Sequence, residues 1–115
     1  MTELAQRAVA CKGWRWMPGM LAVDVGGLKW RQASGSWVGE GHAARTCRGE
    51  ITPDLPDPAT LGCLLALVRE ACPGTFVMPY DKKPGWWIAI MPGEIQPLPG
   101  PTYAEALVAA LEAAP

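Results

Sequence analysis

The chain has 115 residues, half of them hydrophobic and 18% charged. That is enough for a single domain (residues 1–115) with its own core, and it excludes disorder of the whole chain. No run approaches the roughly 18 apolar residues a bilayer span needs, and MTELAQRAVACKG lacks the basic start and apolar block of a secretory signal. A cytoplasmic, reducing location without membrane association is therefore expected, with the four cysteines as free thiols.

The net charge of −1 disfavours nonspecific nucleic-acid binding by the whole surface. Residues 1–49 carry seven basic side chains against three acidic, and residues 50–115 carry three against eight. Either the halves pack together and compensate, or a basic face meets a polyanion; the first is the simpler expectation.

Thr2 to Lys12 reads as a short helix, with Thr2 as its cap, Glu3 at its positive end and Gly13 as a left-handed stop. Leu4, Ala5, Ala8, Val9 and Cys11 form its small-sided apolar stripe. Trp14 to Met17 is too short for a helix between Gly13 and Pro18-Gly19. As a strand it sets Trp14 and Trp16 on one side, Arg15 and Met17 on the other.

MLAVDV and LKWRQA flank Gly26-Gly27, which predicts a hairpin with a two-glycine loop. That loop pairs Val25 with Leu28, Asp24 with Lys29, Val23 with Trp30 and Ala22 with Arg31. The register separates apolar from charged side chains and opposes unlike charges. Ser34-Gly35-Ser36 turns the chain, Trp37-Val38 starts a further strand, and Arg45 to Thr52 is left open between strand and loop. The prolines of TPDLPDP make residues 52–57 a rigid connection.

Asp57, Pro58 and the closing Pro73-Gly74 mark a central helix with Leu61, Leu64, Leu65 and Val68 as its core stripe. Thr75–Tyr80 and Trp86–Met91 are two strands joined by the turn Asp81-Lys82-Lys83-Pro84-Gly85. The second is apolar on both sides, which predicts an interior strand covered on each face. PGEIQPLPGP reads as a connection, too rich in proline for a central strand. Thr102 and Glu105 form a capping box for a last helix burying Ala104, Leu107, Val108 and Leu111. The order α-β-β-(β)-α-β-β-α predicts an α+β layered sandwich, an antiparallel sheet of about four to five strands with three helices.

PDLPDPATLGCLLALVREA and TYAEALVAALEAAP, with the opening MTELAQRAVACKGWRWMPGM, resemble small proteins of unknown function encoded by tailed phages and prophages, the phage α/β/α-sandwich-like group. The resemblance covers both ends and the central helix, and fails over residues 20–50 and 74–100. It implies a layered α+β fold and the cytoplasm of a bacterial host; it carries no catalytic residue.

His42, the single histidine, is a weak catalytic alternative, with Glu40 or Glu50 to orient it. No nucleophile motif accompanies it, and a loop histidine without a chemical role is the simpler reading. Cys11, His42, Cys47, Cys63 and Cys72 lack zinc-ligand spacing, so no metal or other cofactor is expected. Gly39-Glu40-Gly41 and Gly26-Gly27 lack the context of phosphate loops.

Basic residues alternate with indole at Lys12/Trp14/Arg15/Trp16, Lys29/Trp30/Arg31 and Lys82/Lys83/Trp86/Trp87. Lys12, Trp14, Arg15, Trp16, Lys29, Arg31, Lys82 and Lys83 are the candidate binding surface of a single-stranded nucleic-acid-binding module. Against this, a chain with one phenylalanine and two tyrosines needs tryptophan in its core. The leading expectation is a non-enzymatic accessory protein of the phage type, acting through a protein partner or by self-association as a homodimer.

Overall fold

The computed structural model describes residues 3–82, 84–91, 93–99 and 102–114. Helix α1 spans Glu3–Ala10; the predicted cap Thr2 lies outside the described residues. Ala5 and Ala8 are buried, and their small size lets the helix pack close to its neighbours, while Val9 points outward. Gly13 does not take the left-handed conformation expected of it. Its missing side chain instead makes room for Leu111, whose Cδ1 would lie 3.1 Å from an added Cβ. Trp14 to Met17, expected as a strand, has no regular secondary structure and joins no sheet.

Strands β1 (Leu21–Val23), β2 (Lys29–Ala33), β3 (Ser36–Glu40) and β4 (Thr52–Pro53) form an antiparallel sheet in the order β3-β2-β1-β4. The first hairpin forms where the sequence places it, but one residue out of the predicted register: Ala22 opposes Trp30 and Val23 opposes Lys29. The loop is longer than two glycines. Gly27 N–H donates to Asp24 C=O at 3.0 Å, Asp24 N–H donates to Leu28 C=O at 2.9 Å, and Gly27 sits at φ +84°. This is a three-residue hairpin loop with glycine in its left-handed position.

The cause is Asp24. Its Oδ1 accepts from the N–H groups of Gly26 (2.9 Å) and Leu28 (3.0 Å), and its Oδ2 from Trp30 Nε1 and Arg48 N–H, both at 3.1 Å. Four donors make an inward carboxylate favourable, and the one-residue slip then exchanges every face. Asp24 is buried beside Trp30, while Val25 is 65% exposed.

Asp57 caps α2 (Pro58–Ala71), accepting Thr60 N–H at 3.0 Å. Leu64, Leu67 and Val68 are fully buried, with Leu61 and Leu65 at the margin. α3 (Tyr103–Ala113) is capped by Thr102, whose Oγ accepts Glu105 N–H at 3.1 Å, and buries Ala106, Leu107, Val108, Ala110 and Leu111.

Strands β5 (Phe76–Pro79), β6 (Trp86–Met91) and β7 (Glu94–Pro99) form a second antiparallel sheet in that order. Two points correct the sequence reading. The strands divide between two sheets of four and three rather than one of four to five, and the proline-rich segment expected as a connection is edge strand β7. Pairing explains why proline fits there. Tyr80 N–H donates to Trp86 C=O at 2.9 Å. By alternation Trp86, Ile88 and Ile90 bond to β5, while Trp87, Ala89 and Met91 bond to Leu98, Gln96 and Glu94 of β7. Pro97 and Pro99 therefore occupy outward positions of an edge strand, where no ladder donor is lost.

The fold is α+β and layered: α3 packs on β5, β6 and β7 and on α1 and α2, and α1 packs on β4. One contiguous core runs from Met20 and Leu55 through the helices to Ala89 and Leu98.

Candidate functional site

β6 is interior, as its two apolar sides predict, but only one of those sides is covered. Val77, Trp87, Ala89 and Leu98 face the helices, with Ala89 and Leu98 buried. Trp87 stacks on Tyr103 with ring centroids 5.2 Å apart, fastening the start of α3 to the sheet. The register sets Phe76, Met78, Trp86, Ile88, Ile90, Ile95 and Pro97 on the opposite side. There Phe76 is 54% exposed, Met78 42% and Ile95 67%, with Trp86, Ile88 and Ile90 half-buried.

Among the described residues this face is the most conspicuous uncovered feature. None of those seven side chains is charged, and at the margin the Arg69 guanidinium lies 5.4 Å from the centre of the Phe76 ring. Single exposed apolar residues are ordinary, but a contiguous set on one sheet face marks an interaction surface. None of the seven is among the predicted site residues. The available signal was the period-two alternation in three successive strands, together with too few helices to cover both sides of β6.

The residues that sequence singled out lie elsewhere, and the structure does not gather them. Trp14, Arg15 and Trp16 line one open cleft of about 680 Å³. Trp14 meets Trp16 edge-to-face at 5.3 Å, and Trp16 meets Trp37 in the same way at 5.2 Å. Trp37 projects from the Trp30 side of the first sheet, whereas Lys29 and Arg31 project from the other. Lys82 is in the β5–β6 turn of the second sheet, and Lys83 lies outside the described residues.

Three of the six candidate cations, Arg15, Lys29 and Arg31, are already held by carboxylates. Arg15 pairs with Glu70, and Lys29 pairs with Asp54 at 3.0 Å. Arg31 joins Glu40 at 2.9 Å and Asp57 at 2.8 Å, and donates to Gly19 C=O at 3.0 Å. Arg7 pairs with Glu112. Four of these five ion pairs link residues 1–49 to residues 50–115, so the halves compensate one another. Hydrogen bonding to Glu40 and then to Asp57 raises the Arg31 pKa, and the same contact lowers that of Glu40. Burial works against ionisation of Asp57, but hydrogen bonds from Arg31 and Thr60 outweigh it and hold the carboxyl below its usual range. Lys12 and Lys82 are exposed and make no ion pair with the described residues.

His42 sits edge-on to Trp30, with ring centroids 4.7 Å apart. Its Nε2 donates to Lys29 C=O at 2.8 Å and its Nδ1 accepts Ala44 N–H at 3.1 Å, so both nitrogens are engaged. Gly39 is glycine because of this ring, since an added Cβ would lie 2.7 Å from His42 Cε1. The histidine thus holds the chain after β3 against Trp30, a structural duty. Burial raises the thiol pKa of Cys11, Cys47 and Cys63, the reverse of what a reactive cysteine needs. Among the described residues no group of three His, Cys, Asp or Glu is placed to hold a metal ion, and no helix is long and apolar enough to cross a membrane.

Comparison with known protein families, with characterised proteins and with solved structures returns no match.

Proposed function

We propose that this chain is a non-enzymatic accessory protein, of the phage or prophage type its helices resemble, that works by laying the open face of β5–β6–β7 against another protein surface. The observation that carries this reading is the contiguous exposure of Phe76, Met78 and Ile95 around half-buried Trp86, Ile88 and Ile90. Burying such a face releases water from apolar surface, at about 25 cal/mol per Å² before the costs of association. His42, the one candidate base, is committed to backbone groups.

The test uses a triple variant, Phe76→Ser/Met78→Ser/Ile95→Ser, whose changes lie on exposed positions and leave the core side of the sheet intact. Native protein that binds a second polypeptide, itself or another, more strongly than the folded variant does supports the reading. Equal binding by the two proteins, or none by either, contradicts it.

The alternative, a single-stranded nucleic-acid-binding module, draws on the cleft where Trp14 and Trp16 meet Arg15. It has less support, because Arg15, Lys29 and Arg31 already have carboxylate partners. An oligonucleotide at low salt that quenches tryptophan fluorescence would favour it.

A further inference from the structure

We infer that the protein covering the open face of β5–β6–β7 is a second copy of this chain, packed face to face about a two-fold axis; this rests on the reading of that face as a contact surface. The edges of the sheet direct association to the face. Outward-pointing backbone positions of β5 are Val77 and Pro79, and those of β7 are Ile95, Pro97 and Pro99. Proline has no N–H, so the outer rims offer one donor on β5 and one on β7. Adding a strand at either edge therefore gains little, and open-ended sheet growth is blocked.

The face suits its own copy in charge, shape and area. None of its seven described side chains is charged. The net charge of −1 gives two copies almost no long-range repulsion. Equal twist lets two such sheets pack at the aligned angle of a β-sandwich, each outer side already covered by its own α3. The exposures of Phe76, Met78 and Ile95, with the half-buried residues around them, amount to an apolar patch on the order of 500 Å² per copy. Two patches come near the lower end of the roughly 1,200–2,000 Å² buried by specific complexes. An interface of this size suits a reversible dimer rather than a permanent one. Contact of this kind is isologous, so assembly closes at two.

Sedimentation of the purified full chain from about 1 to 500 µM tests this, with Ile95→Glu and Met78→Lys as separate variants. The expected result is a monomer–dimer equilibrium whose dissociation constant rises at least about tenfold in each variant, with circular dichroism unchanged. Mixing Ile95→Glu with Met78→Lys should restore part of the association, because the new charges are opposite. A chain monomeric throughout, whose open face still binds a different protein in a manner lost in the triple-serine variant, overturns the self-association and leaves the contact reading standing. A dimer insensitive to both variants overturns both.

Discussion

Asp24 shows how one side chain sets the geometry around it. Residue hydropathy alone places Val25 inside and the aspartate outside, yet the carboxylate collects four hydrogen bonds that no valine could replace. Burial opposes its ionisation, but the bonds from Arg48, Trp30, Leu28 and Gly26 prevail and hold its pKa below the ordinary value. A carboxyl with a lowered folded pKa contributes stability that is present above its unfolded value, about 4, and lost as pH falls through the folded one. Asp24→Asn should lower the thermal midpoint at pH 7, since an amide NH₂ would confront donors where an oxygen stood. The deficit relative to wild type should narrow below about pH 4. A deficit constant from pH 7 to pH 2 would sink this account of the hairpin.

At the scale of elements, the central helix depends on Asp57, which accepts Thr60 N–H and Thr60 Oγ and also pairs with Arg31 of β2. Asp57→Ala removes the cap and one of the two carboxylate partners of Arg31, so a loss of about 1–2 kcal/mol in denaturant unfolding is expected. A loss below about 0.3 kcal/mol would show that the cap contributes little. Edge strand β7 makes a different prediction. Pro97→Val supplies an outward N–H at a position where the side chain is already exposed. Light scattering should then report assemblies larger than a dimer, while an unchanged size distribution would mean that proline is not what guards this edge.

These elements differ in how far sequence alone foretold them. Both capped helices were legible because Asp57 with Pro58, and Thr102 with Glu105, mark a helix start just ahead of an apolar stripe. Strand β6 was legible because it is apolar on both sides. The register of the first hairpin was not, because it turns on side-chain hydrogen bonds to a loop as distant as Arg48. β7 was hidden because composition does not say which way a proline's missing donor would have pointed. The open face was missed for a related reason: Trp86, Ile88 and Ile90 were expected under cover and Ile95 and Pro97 in a connection, and whether a helix covers that side depends on the division into two sheets.

Across the whole molecule, the charge imbalance between the halves becomes a set of ion pairs joining them. Exposed pairs of this kind contribute little each, so the halves are held chiefly by the core from Met20 to Leu98. The molecule is elongated, 47 × 26 × 20 Å, with a radius of gyration of 14.9 Å against about 13 Å for a compact chain of similar length. That shape fits two small sheets joined through helices, and a three-helix set that covers only one side of the second sheet. The most direct measurement is the nuclear magnetic resonance spectrum of the purified chain as its concentration is raised. The Trp86 indole and the methyls of Ile88, Ile90, Ile95 and Met78 should shift together, while Leu107, Leu111 and the Trp30 indole stay fixed. Shifts confined to Trp14, Trp16 and Trp37, or no shifts at all, would contradict self-association through β5–β6–β7.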